Sequence, residues 1–165
     1  MSAEGSMWAI RKGGRMKMKL QVIGIAALGF LFFGGLAIAA EAREATISGV
    51  KGEVFVRQNH GDWKPAQKGM VLYRDDEVKT SQGSLAEVLL DNGAVGSVQV
   101  KEKSLFRINI MDEDVKTGDK VTLLDLAIGK VMVHAEKLKG NSKFEVRTPT
   151  STTGVRGTMF EVSVE

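Results

Sequence analysis

A chain of 165 residues that is 43% hydrophobic, 26% charged and 6% aromatic has the balance of a single globular domain, which excludes a disordered or collagen-like protein. The absence of cysteine excludes disulfide scaffolds, thiolate zinc sites, cysteine nucleophiles and an acylated lipoprotein cysteine. The net charge of +3 is concentrated at the start, where residues 1–40 carry Arg11, Lys12, Arg15, Lys17 and Lys19 against Glu4 alone; the remainder is close to neutral and has no electrostatic reason to bind nucleic acid.

Residues 1–21 read as a basic leader, with 1–15 expected to be an over-extended start, because Met16 to Lys19 already supplies a compact basic region. An uncharged apolar run follows from Val22 to Phe33, then Gly34 and Gly35, then small residues two apart at Ala37/Ala39 and Ala40/Ala42. That order predicts a secretory signal peptide over 22–40. The alternative is an uncleaved membrane anchor, since about 20 apolar residues span a bilayer. In both cases the basic flank stays in the cytoplasm and the rest is exported. The leader is too short for a second folded domain, which needs roughly 40 residues.

Beyond the leader the apolar pattern has period two, which puts alternate side chains on one buried face of a strand. Strands are expected at Ala45–Val50, Glu53–Arg57, Val71–Leu72, Glu77–Thr80, Leu85–Leu90, Ala94–Val100, Phe106–Ile110, Val121–Leu126, Lys130–Ala135, Phe144–Arg147 and Phe160–Val164. Asp91-Asn92-Gly93 lies between two apolar runs and predicts a tight hairpin, because Asn-Gly accepts the positive φ angles such a turn needs. No window predicts a helix, although Leu123–Ile128 fits helix or strand equally. The class is therefore all-β: one domain of many short strands over 46–165, a β-sandwich or short β-solenoid, preceded by an N-terminal signal or anchor helix.

Two segments echo each other. Gly52 to Arg57 returns in character as Gly129 to His134, and Glu77 to Thr80 returns as Glu145 to Thr148. Related halves, successive coils of a solenoid, or simply the common look of a strand start all produce this.

The chemistry-bearing residues are few. His60 and His134 have no ligand spacing, and no metal-binding helix motif or serine elbow is present, so no catalytic, cofactor or metal residues are expected. The acidic groups Asp75-Asp76-Glu77 and Asp112-Glu113-Asp114 read as solvated turns; Lys116 and Thr117 stand where a calcium loop needs an oxygen ligand and a glycine. Trp63, beside Pro65 in a polar loop, is either an interface anchor or a lid folded on a strand end. In Thr148 to Thr158, Pro149 holds Thr148 extended, the hydroxyls cap backbone groups, and Gly154 and Gly157 are expected to bend the chain around Arg156. Arg156 then either ties down carbonyls at the bend or presents its guanidinium to an acidic group on a partner or a glycan.

In order, Gly52 to Arg57, Trp63-Lys64-Pro65-Ala66 with Gly69, Asp76 to Thr80, Asp91 to Gly93, Ser104 to Phe106 and the closing Thr148-Pro149…Gly154-Val155-Arg156-Gly157-Thr158…Phe160 resemble the FecR-domain family over about residues 46–165. Asp75 departs from the family's usual glycine, which puts that turn's backbone in question. The chain ends at Glu165, just after the strand that follows this motif, so an unpaired edge strand is expected there. The resemblance implies an exported, non-enzymatic sensing or binding module. Founding members resemble transducers in which a periplasmic FecR domain receives word from an outer-membrane iron-siderophore receptor and passes it to a cytoplasmic anti-sigma segment. This chain is more similar to stand-alone secreted members, so iron signalling is not carried over intact. The expected partner is another envelope protein, or a glycan, with no nucleic acid and with membrane contact only through 22–40. The expected location is periplasmic or extracellular, alternatively anchored in the inner membrane and facing the periplasm. The second reading is a structural envelope protein that binds peptidoglycan or polysaccharide.

Overall fold

The computed structural model describes residues 42–155, 157 and 159–165. The signal or anchor segment 22–40, with Arg156 and Thr158 of the closing motif, lies outside the described residues. The rest forms β1 (Ala45–Lys51), β2 (Val54–Arg57), β3 (Trp63–Pro65), β4 (Val71–Leu72), β5 (Glu77–Thr80), β6 (Leu85–Leu90), β7 (Gly96–Val100), β8 (Leu105–Glu113), β9 (Lys120–Ala135), β10 (Lys143–Arg147), β11 (Thr152–Val155) and β12 (Met159–Val164). Among the described residues the only helical piece is a 3-10 turn at Asp91–Gly93, and no helix is long and apolar enough to cross a membrane.

Alternation drives these strands. In β6 the residues Ala86, Val88 and Leu90 are buried and their neighbours are half-buried; in β7 Val98 and Val100 are buried opposite them. The Leu123–Ile128 segment is strand throughout, and the two strands expected at Val121–Leu126 and Lys130–Ala135 are one long strand, β9. Two strands were not legible: β3, which contains Trp63, and β11. Both are short edge strands with little apolar alternation. The β6–β7 hairpin forms, but its connection runs from Asp91 to Val95, longer than a two-residue Asn-Gly turn, because Val95 folds inward and is buried.

The fold is a curled sheet, half of a barrel, that β9 turns into two connected leaves. In the first leaf the hydrogen-bonded order is β4-β1-β6-β7-β9-β12; in the second it is β3-β2-β5-β8-β9-β10-β11. Every pairing is antiparallel except β10 with β9. Lys120 to Ile128 of β9 pairs with β8, whereas Gly129 to Ala135 pairs with β12 or β7. Its buried residues shift phase at the join, from Thr122, Leu124 and Leu126 to Val131, Val133 and Ala135, so both parts face one shared core.

The corners where strands pass between the leaves meet at one end. Ser81 N donates to Glu53 O at 3.0 Å, Lys103 N to Ser81 O at 3.3 Å, and Lys101 N to Lys130 O at 2.9 Å. Here the first sequence echo acquires a structural meaning. Gly52 and Gly129 both take positive φ, +74° and +92°, and the next residue's N–H, Glu53 or Lys130, donates at 2.9 Å to the hydroxyl of Ser84 or Ser104. Val54 then pairs with Thr80 as Val131 pairs with Val100. The second echo has no such counterpart, because β5 lies antiparallel between β2 and β8 while β10 runs parallel to β9. The turn at Asp75 keeps a left-handed backbone with φ +69°, which aspartate tolerates better than most side chains, and Asp76 N closes it onto Tyr73 O.

At the other end of the strands a buried arginine closes the half-barrel. The Arg43 side chain is 4% exposed. It donates through Nε to Asp91 at 2.9 Å, through one terminal nitrogen to the carbonyls of Asp112 and Val121, and through the other to Thr122 Oγ1 at 3.0 Å. Lys120 Nζ reaches the same Asp91 carboxylate at 2.7 Å. This network joins the start of β1 and the end of β6 to the base of the β8–β9 hairpin.

Candidate functional site

Register across the second leaf places five charged residues in one row on its outer face: Arg57 opposite Glu77, Glu77 opposite Arg107, Arg107 opposite Asp125, and Asp125 opposite Arg147. Their strand neighbours Val56, Val78, Phe106, Leu124 and Val146 are buried in the core, so alternation turns the charges outward. Trp63 stands opposite Arg57 at one edge of the row, and Thr152 opposite Arg147 at the other.

The charges alternate in sign, and most are tied. Arg57 Nε donates to Glu77 Oε2 at 2.5 Å. Asp125 accepts from Asn109 Nδ2 at 2.7 Å and from Arg147 Nε and a terminal nitrogen at 2.9 and 2.8 Å, a two-pronged pairing that suits the planar guanidinium. These hydrogen bonds first, and the carboxylate charge second, raise the pKa of Arg147 above its ordinary value. Arg107, in the middle of the row, is held loosely. Its nearest carboxylate oxygens are 3.6 Å away on Asp75 and 3.9 Å away on Asp125, and its Nε makes no hydrogen bond.

Trp63 is half-buried on β3 with the Arg57 guanidinium 4.8 Å and Lys79 Nζ 5.9 Å from its ring centroid, a cation–π arrangement at both. Beside it lies a depression of about 390 Å³ lined by Trp63, Leu105 and Ile128 together with Lys79 and Lys103. Ile128 is 50% exposed there. An apolar floor ringed by cations fits an apolar side chain flanked by carboxylates. Larger concavities open to solvent include about 600 Å³ near Lys51, Lys101 and Lys130, about 620 Å³ near Tyr73 and Arg74, and about 400 Å³ along β10 and β11 at Phe144 and Val155.

The first part of the closing motif, Thr148 to Val155, lies at the far edge of the same leaf. Thr148 N donates to Ser151 O at 2.8 Å, and Ser151 N donates to Thr148 Oγ1 at 3.0 Å, so Thr148 and Pro149 close the β10–β11 hairpin as the expected hydroxyl cap. Gly154 and Val155 lie inside β11, opposite Glu145 and Phe144; Gly154 is strand and not the tight bend the sequence suggested. Gly157 does bend, with φ +72°. Phe160 on β12 faces the core half-buried opposite Val133. Six inter-strand steps of about 4.8 Å separate β3 from β11, roughly 29 Å, so Trp63 and this hairpin do not converge on one small molecule.

The acidic groups are engaged locally. Asp76 accepts from Asn59 N at 3.0 Å and Tyr73 N at 2.9 Å, and Asp114 caps Lys116 N at 2.8 Å in the β8–β9 connection. His60 sits in a turn after β2 with φ +57°, and His134 lies on the outer face of the first leaf. Arg57, Glu77, Arg107, Asp125 and Arg147 escaped sequence reasoning because their alignment depends on the register of five strands. The one local signal is a charged residue next to an inward apolar residue in each of those strands.

A family model described as FecR protein matches residues 76–165, just over half of the chain and a narrower span than the motif resemblance. No curated protein matches the chain, and no solved structure does.

Proposed function

The chain belongs to the FecR protein family, and on that premise we propose that its β domain is an exported, non-enzymatic recognition module of the cell envelope. It binds another envelope protein on the outer face of the second leaf and relays that partner's presence. The observation that carries this reading is the union of Trp63, its apolar depression and the loosely held Arg107 on one charge-patterned face. Such a face confers specificity through its charge order and affinity through a few anchors. Glu77 and Asp125 are bonded to guanidinium groups, an arrangement that suits recognition better than acid–base work. The basic leader and apolar run support delivery to the periplasm or beyond, cleaved or anchored.

A photo-reactive side chain placed at position 79, exposed on the outer face beside Trp63, is expected to cross-link a single envelope protein in intact cells. Trp63→Ala and Arg107→Ala, introduced separately, should each reduce the affinity of that pair by about 30-fold, the scale of a hot-spot truncation of about 2 kcal/mol. Capture of nothing, or capture indifferent to both substitutions, rules the face out; co-sedimentation with purified sacculi replaces the protein partner by a glycan. In intact spheroplasts, added protease is expected to reach the β domain, and full protection would refute export.

A further inference from the structure

The outer face of the first leaf carries a different constellation. Met159 on β12 is directly opposite His134 on β9, His134 is opposite Ser97 on β7, and Met132, two residues before His134 on the same face, is opposite Gln99. These five side chains line one small surface cavity of about 250 Å³. Directly opposed residues on antiparallel strands have Cβ atoms about 5 Å apart, and diagonal neighbours such as Met132 and Met159 about 7–8 Å, which long thioether side chains close easily. Met159 is 66% exposed, so burial does not account for it. His134 Nε2 lies 3.3 Å from Glu136 Oε1. With Glu136 beside Nε2, the other ring nitrogen, Nδ1, is the one left to face a ligand.

We propose that Met132, His134 and Met159 form a surface site for a soft monovalent cation, Cu(I), with Ag(I) as its redox-inert analogue. Two thioethers and one imidazole are soft and borderline donors that select Cu(I) over hard divalent ions. The set itself supplies no carboxylate for a hard divalent ion such as calcium or magnesium; of the two carboxylates that flank it, Glu136 is beside His134 and Glu161 is paired with Lys130 at 3.3 Å. Glu136 acts as a positioning residue through the imidazole. The site is on the leaf opposite the proposed protein-binding face, and neither depends on the other.

The test uses the full chain purified in detergent with Cu(I) held by bicinchoninate under ascorbate. Wild type is expected to withdraw Cu(I) from the competitor, and X-ray absorption of the bound metal should show sulfur and nitrogen neighbours together. Met132→Leu and Met159→Leu keep the apolar volume and remove the sulfur; each should weaken binding at least about tenfold, and the pair should abolish the mixed sulfur–nitrogen signature. Met70→Leu, a control elsewhere in the domain, should change nothing. Glu136→Gln should weaken binding while leaving the ligand set unchanged. The proposal is overturned if wild type takes no Cu(I) from the competitor, or if the double leucine variant binds it as wild type does, which would assign the metal to methionines elsewhere in the chain, such as Met16 and Met18.

Discussion

Arg43→Ala is expected to lower the free energy of unfolding by about 3 kcal/mol, a fall in melting temperature on the order of 10 °C for a domain of this size. Asp91 keeps Lys120 at 2.7 Å, so its charge is still paired. The carbonyls of Asp112 and Val121 and the hydroxyl of Thr122, however, all lose their donor, and the β1 start is released from the β8–β9 hairpin. Lysine has no fork to reach these acceptors together, so Arg43→Lys should recover less than half of the loss. Adding Lys120→Ala to Arg43→Ala should cost more than the sum of the two, because Asp91 would then be buried with no cation. Thermal melts followed by circular dichroism decide this; a shift under about 2 °C for Arg43→Ala would show that the network is dispensable. Cleavage after Ala39 or Ala42, the positions the proposed signal peptide offers, would leave Arg43 on the chain and keep this network.

All strands but β3 and β11 were legible in the sequence, β9 as two pieces, because each needs only its own alternation. Phe106, Ile108, Phe144 and Val146 are inward where period two puts them. What joins strands was not. The charge row needs a register between residues up to 90 positions apart, Arg57 and Arg147, and the Arg43 network joins a residue at the leader's exit to three distant elements. The parallel pairing of β10 with β9 leaves no local trace. One nonlocal feature was half visible: the Gly52 and Gly129 echo marked the corners, but its serine partners went unread. Ser84-Leu85 and Ser104-Leu105 are equivalent in the fold, yet the segments around them share only scattered apolar positions such as Val78 with Val98 and Val88 with Ile108.

Gly129→Ala should be strongly damaging, costing about 2–5 kcal/mol. Two terms add. An alanine held at φ +92° is strained by about 1–2 kcal/mol. Its Cβ would also lie 2.5 Å from Ser104 Cα and 2.6 Å from Lys103 O, main-chain atoms that move only if the corner opens, and such overpacking costs about 1–3 kcal/mol. Gly118→Ala separates the terms, because it has φ +71° with nothing within 4 Å of the added methyl, so it should lose only the first. Gly52→Ala falls between: its methyl meets chiefly the Ser84 hydroxyl at 2.5 Å, with Ser84 Cα at 3.1 Å. The order Gly129, Gly52, Gly118 in urea midpoints is therefore expected, and equal losses at Gly129 and Gly118 would remove the steric argument. Beyond stability, the bend at Gly129 places Asp125 of the charge row and His134 of the thioether cavity on opposite arms of a single strand. A variant that straightens this corner should disturb both faces at once, whereas Trp63→Ala and Met159→Leu should each weaken one and spare the other.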